Sequence, residues 1–101
     1  MGVRYGRAYG DILRELAEAV GGIGDGYRLC GMEAEEWDGL GDRERKETLE
    51  AIAEDVFYGL GAQPVIAVGA GKVIYRPKRH VIEVAVNDRE SRIVRLIYPE
   101  N

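Results

Sequence analysis

Few side chains in this sequence are suited to nucleophilic chemistry. The chain has one cysteine, Cys30, one histidine, His80, and one serine, Ser91. A cysteine and a histidine can form a catalytic pair when the fold brings them together, whatever their separation in sequence. Ser91 lies among charged residues and lacks the glycine-flanked elbow that exposes a nucleophilic serine. Cys30 with His80 is therefore one enzyme hypothesis, although a free cysteine is more often a small buried apolar residue.

Carboxylates offer a second enzyme hypothesis, because two acids in different environments can divide acid and base roles between them. Acids cluster before the second predicted helix and near its end, at Glu33, Glu35, Glu36, Asp38, Glu54 and Asp55. Acidic residues near helix starts are also stabilised by the helix dipole, and exposed acids keep a protein in solution. The sequence favours these structural roles over an acid–base pair.

Metal and cofactor sites have no clear signature in the sequence. Zinc sites need several histidine or cysteine ligands, and this chain has one of each. The stretch "GAGK" at 69–72 lacks the spacing of a phosphate-binding loop, and a predicted strand follows it where a helix is required. We predict neither a metal nor a cofactor.

The segment "YRPKRH" concentrates positive charge around a proline, with Arg76, Lys78, Arg79 and His80 in six residues. Pro77 suits the second position of a tight turn, and an exposed corner tolerates charge. The side chains could contact an anionic partner. The chain as a whole carries a net charge of −4, which opposes long-range attraction of a polyanion. Nucleic acid is a disfavoured alternative partner.

Composition is typical of one globular domain, which we place at 1–101. The chain is 46% hydrophobic and 32% charged, and it lacks an apolar stretch of the roughly 20 residues that a membrane span requires. The first residues also lack the apolar segment of a signal peptide. We predict a cytoplasmic protein with no membrane partner.

Two helices are predicted from apolar residues at spacings of three and four. The first covers 8–20 and ends at Gly21 and Gly22. The second begins at Asp42, the predicted N-cap, and ends at Gly61. Between them, "MEAEEW" is predicted to form a helical turn that packs Trp37 onto the core, and 27–30 is either a loop or a short strand.

After Gln63 the hydrophobic period changes from 3.6 to 2. Four extended runs follow, "PVIAV", "KVIYR", "HVIEVAV" and "SRIVRLIY", separated by turns of hairpin length. We predict an α+β fold in which two helices pack on one face of a four-stranded antiparallel meander, in the order α-α-β-β-β-β. The predicted core contains Ile12, Leu16, Val20, Leu49, Ile52, Val56, Leu60, Val84, Val86, Val94 and Leu96.

The second face of this sheet is predicted to be half apolar and half charged. Alternation along the third and fourth strands places Glu83, Ile93, Arg95 and Ile97 away from the helices, and Glu83 could pair with Arg95 across the strands. Charge also changes along the chain: residues 1–61 carry a net −7 and residues 62–101 a net +3. An apolar centre with a charged rim is typical of an interface.

We therefore predict a small non-enzymatic module that binds a protein partner or a second copy of itself, with a homodimer favoured. Nucleic-acid binding through the basic surface and a small enzyme are the alternatives. The candidate binding residues are Arg76, Lys78, Arg79, His80, Glu83, Arg92, Ile93, Arg95 and Ile97.

Overall fold

A computed structural model describes residues 2–98 and shows helices followed by a four-stranded antiparallel sheet. The predicted α+β class and the sequential strand order β1-β2-β3-β4 are confirmed. The predicted domain at 1–101 includes residues 1 and 99–101, which lie outside the described residues. The elements are α1 (Tyr9–Gly21), the 3-10 helix η1 (Gly26–Cys30), α2 (Ala34–Asp38), α3 (Asp42–Gly59), β1 (Val65–Val68), β2 (Gly71–Arg76), the 3-10 helix η2 (Pro77–Arg79), β3 (Val81–Ala85) and β4 (Ser91–Arg95).

The helices α1 and α3 pack against each other in antiparallel fashion. At one end the ring of Tyr9 lies 5.2 Å from that of Phe57, and at the other end Gly21 lies against Leu49. Burial along α1 follows the helical period, with Ile12, Leu16 and Val20 fully enclosed. Among residues 2–98, no helix has the length and apolar composition that crossing a membrane requires.

The predicted core residues are buried except at one position. Leu49 is only partly buried and packs at the edge of the core, whereas the other ten predicted residues are buried. The core also takes Val3 from the N-terminal segment and Ile23 from the loop after α1. Neither belongs to a periodic run, which is why the pattern of helices and strands did not identify them.

Local details differ from the prediction at three places. Residues 27–30 belong to the 3-10 helix η1, so the alternative of a short strand is wrong. The N-cap of α3 is Gly41, while Asp42 is the first helical residue. Pro77 occupies the first position of its turn, because its carbonyl accepts the amide of His80.

Trp37 is held by stacking rather than by deep burial. The Trp37 ring is stacked on the ring of Tyr27, with 5.3 Å between the ring centres. The guanidinium of Arg45, a residue of α3, lies 5.5 Å from the centre of the Trp37 ring. Arg45 also donates hydrogen bonds to the carbonyls of Trp37 and Asp38 at 3.2 and 3.1 Å. The predicted helical turn α2 is therefore fixed to α3 and η1, where Arg45 satisfies carbonyls at its C-terminal end.

Asp25 joins the loop before η1 to the turn between β1 and β2. Its carboxylate accepts the amide of Ala70 at 2.8 Å. Gly69, the preceding residue, has a φ of +55°, a conformation that suits glycine in a two-residue hairpin loop. This contact ties the first hairpin of the sheet to the helical half of the chain.

Candidate functional site

The most prominent unpaired surface of the fold is the side of the sheet opposite α1, which we call the outer face. The strand register aligns Val65, Ile74, Glu83 and Ile93 in one row across all four strands. A second row contains Arg76, Val81 and Arg95, and a third contains Ala67, Lys72, Ala85 and Ser91. We define the outer face by these eleven residues.

Apolar side chains on the outer face extend to both edges of the sheet. Val65 on β1 and Ile93 on β4 are 51% and 52% exposed, and Ile74 and Val81 between them are half-buried. Strands lie about 4.8 Å apart, so the two exposed residues are separated by roughly 14 Å across the sheet. The apolar surface is therefore one continuous patch rather than isolated residues.

Charge on the outer face centres on an ion pair. Nε of Arg76 donates to Oε1 of Glu83 at 2.7 Å. The predicted pairing of Glu83 with Arg95 is wrong, because the register places Ile93 opposite Glu83 and Val81 opposite Arg95. With Lys72 and Arg95, the face carries three cationic side chains against one carboxylate.

The structure places the remaining predicted site residues elsewhere. Arg92 is aligned with Val84, so it lies on the helix side of the sheet, with its Nε near Gly22 at the end of α1. A cation there is favoured by the dipole of the helix. Ile97 lies beyond the end of β4 and is half-buried beside Gly6. Neither residue belongs to the outer face.

Lys78, Arg79 and His80 form an exposed corner at one end of the sheet. The N-terminal segment reaches the same end, where the amide of Arg4 donates to the hydroxyl of Tyr75 at 3.1 Å. Nearby, Arg7 bonds to the carbonyl of Arg95 at 3.1 Å and forms an ion pair with Glu15. Hydrogen bonding to Arg7 lowers the pKa of the Glu15 carboxyl, so this arginine is neutralised by its partner.

Val65, Ile74 and Val81 were not among the predicted site residues. The signal that could have found Val65 and Ile74 is the two-residue loop of Gly69 and Ala70, because such a loop fixes the register of its hairpin. Val81 follows from alternation along β3, which places it on the same face as Glu83. Counting back from the pair Val68–Gly71 aligns Val65 with Ile74. The same alternation would have assigned Arg92 to the face of Val94.

The enzyme hypotheses gain no geometric support from the described residues. Ser91 and His80 lie at opposite ends of the sheet, since Ser91 is aligned with Ala85 and His80 precedes Val81. Within 2–98, no side-chain hydrogen bond joins Cys30 to His80. In the same residues, no group of three or more histidine, cysteine, aspartate or glutamate side chains could hold a metal ion. The amide of Glu33 donates to the carboxylate of Glu36 at 3.3 Å, a contact typical of a helix start.

The prediction that Cys30 is buried is wrong, because the end of η1 leaves it exposed. Partial burial of the thiol and the nearby charge of Asp55 both raise the pKa of Cys30. A higher pKa reduces the thiolate fraction, and the thiolate is the reactive form.

We expect Cys30 to react with iodoacetamide at neutral pH more slowly than the thiol of glutathione. Replacing Asp55 with asparagine removes one cause of the raised pKa, so D55N should accelerate the reaction modestly, and E35Q on α2 should not. Alkylation followed by mass spectrometry gives the rates. A rate above that of glutathione would indicate a lowered pKa and would favour the enzyme hypothesis.

Comparison of the chain with protein-family models, curated proteins and solved structures gives no match.

Proposed function

We propose that this protein acts as a binding module that associates with a second copy of itself through the outer face of its sheet. The observation that carries the proposal is the apolar surface of Val65, Ile74, Val81 and Ile93, which surrounds Glu83 on β3, is flanked by cationic residues and is unpaired in the single chain. An apolar centre within a polar rim is how protein interfaces are built.

The shape of the outer face favours a flat partner. Its exposed apolar residues lie on the two edge strands, about 14 Å apart, whereas a helix aligned with the strands is only about 10 Å wide. A second sheet face covers all four strands at once, as in proteins where two sheets pack about 10 Å apart. A second copy of this chain supplies such a face, and symmetric pairs of identical surfaces are the commonest oligomers.

The size of the face sets the expected strength of association. Four strands by five residues cover roughly 320 Å² in projection. Standard interfaces bury about 800 Å² on each partner, so a contact limited to the outer face is smaller than a standard interface and belongs to the weak, transient class. The expected dimer is weak and depends on protein concentration.

The dependence of association on salt concentration distinguishes self-association from binding to nucleic acid. Each face carries three cations against one carboxylate, so two faces repel each other slightly, and salt screens that repulsion. We expect the dimer to strengthen as sodium chloride is raised, as measured by sedimentation equilibrium over a range of protein concentrations. A chain that stays monomeric at high protein concentration and high salt would contradict self-association.

Binding of nucleic acid through Lys78, Arg79 and His80 would show the opposite dependence. Contacts to phosphates release counterions, so affinity falls steeply with salt. Replacing Arg76, Lys78 and Arg79 together would then remove binding to a fluorescent RNA. We expect no tight RNA binding at physiological salt, and binding tighter than about 1 μM that the triple variant loses would overturn the proposal.

A further inference from the structure

A second surface of this protein, formed by the N-terminal segment, α1 and α3, exposes aromatic side chains together. Tyr5, Tyr9 and Tyr58 are 46%, 41% and 88% exposed, whereas Phe57, whose ring contacts those of Tyr5 and Tyr9, is almost fully buried. We call these four residues the tyrosine cluster. Exposed aromatic groups gathered at one place are more indicative of binding than single exposed side chains.

The rings of the cluster support one another. Phe57 makes edge-to-face contacts with Tyr5 and Tyr9, at centroid distances of 5.6 and 5.2 Å, and Tyr5 lies 5.8 Å from Tyr9. Such pairs add stability beyond simple burial. Phe57 therefore packs against Tyr5 and Tyr9 and fixes the orientation of their rings, so their exposed surfaces are ordered before a ligand binds.

An open cleft of about 560 Å³ adjoins the cluster. Tyr5, Phe57 and Tyr58 line one part of it, and the small residues Gly61 and Ala62 line another. Because the cleft is open to solvent, it would leave a free small molecule largely exposed, whereas typical ligand pockets bury most of their ligand. A side chain that projects from another protein suits such a cleft better.

Glu54 gives the cluster a negative charge. It lies one helical turn before Tyr58 on α3, a spacing that places the two side chains next to each other. Its charge also reaches Tyr9: burial and, next, the carboxylate of Glu54 raise the pKa of the Tyr9 hydroxyl. Glu54 forms none of the ion pairs found among residues 2–98.

We propose that the tyrosine cluster and Glu54 form a binding site for an arginine side chain of a partner protein. The guanidinium group is planar and cationic, so it can lie against a tyrosine ring while it donates hydrogen bonds to a carboxylate. The helical half of the chain, with a net charge of −7 over residues 1–61, attracts a basic partner and repels phosphate groups. The proposal does not depend on the outer face of the sheet.

The chain already uses this type of contact inside its own fold. Arg28 lies 5.9 Å from the ring centre of Tyr27, and Arg45 lies 5.5 Å from that of Trp37. Both arginines belong to the same acidic half of the chain. The cluster differs in that, among residues 2–98, no arginine lies over its tyrosine rings and none forms an ion pair with Glu54.

The test compares two peptides that differ in one charge. A capped pentapeptide with arginine at its centre and glycine elsewhere is titrated into the full chain, and NMR follows the amide signals of the cluster. The matched peptide carries citrulline, which has the shape of arginine without its charge. We expect the arginine peptide to bind weakly and about tenfold more tightly than the citrulline peptide, since cation–aromatic and ion-pair contacts both require the charge.

Variants of the chain assign the binding to individual residues. E54Q should remove most of the difference between the two peptides, whereas E35Q, an equal change of charge on α2, should preserve it. Y58A should weaken the arginine peptide severalfold, and because Tyr58 is so exposed, this variant should stay folded. Equal affinity for arginine and citrulline, or signal changes confined to residues outside the cluster, would overturn the proposal.

Discussion

Replacing Ile93 with lysine should abolish self-association while the single chain stays folded. Ile93 lies on β4 in the middle row of the outer face, opposite Glu83, and is 52% exposed, so lysine there can extend into water in the monomer. In the dimer the ammonium group would be held beside a surface that already carries excess positive charge. Loss of a central interface contact costs about 2 kcal/mol or more, which corresponds to weakening of at least about thirtyfold.

The matched control for this change is A51K on the exposed side of α3, which adds the same charge away from the sheet. Sedimentation equilibrium of both variants, with thermal unfolding to check the fold, gives the comparison. V65K at the opposite edge of the outer face should act as I93K does. If I93K dimerises as well as the unaltered chain, the outer face is not the interface.

Replacing Gly69 with alanine should produce the largest loss of stability among the single changes considered. A Cβ atom at Gly69 would overlap Oδ1 of Asp25 and would lie 2.6 Å from the backbone carbonyl oxygen of the same residue. The φ of +55° adds about 1–2 kcal/mol for a residue with a side chain. Displacing Asp25 would also break its charged hydrogen bond to Ala70, a contact worth about 1.5–3 kcal/mol.

Together these costs predict a loss of about 3–5 kcal/mol, a large part of the stability of a small domain. In thermal unfolding this corresponds to a decrease in Tm on the order of 15–30 °C. The control is G10A on α1, where a Cβ meets nothing within 4 Å and alanine should stabilise the helix by about 0.5–1 kcal/mol. A loss below about 1 kcal/mol for G69A would show that Asp25 does not hold the hairpin loop.

The two changes test different consequences of the same sheet. Gly69 and Asp25 determine whether the first hairpin is fixed to the helical half of the chain. Replacing Ile93 tests whether the outer face of the sheet mediates self-association. An unfolded G69A variant together with a folded, monomeric I93K variant would separate the stability of the fold from its proposed association.

The sequence by itself determined the order of the two long helices and the four strands. Helical periodicity located α1 and α3 to within a few residues, and alternation with glycine, proline and Asx turns located all four strands. These signals are local, because a helix repeats over 3.6 residues and a strand over two. For the same reason, the mixed character of the outer face could be predicted from β3 and β4 alone.

Tertiary structure decided the contacts between residues distant in sequence. It paired Glu83 with Arg76, placed Arg92 beside the end of α1, and brought Tyr5 and Tyr9 against Phe57. The Asp25–Ala70 and Arg4–Tyr75 hydrogen bonds span 45 and 71 residues. No repeat within a short window encodes such contacts, because they depend on strand register and on the packing of whole elements.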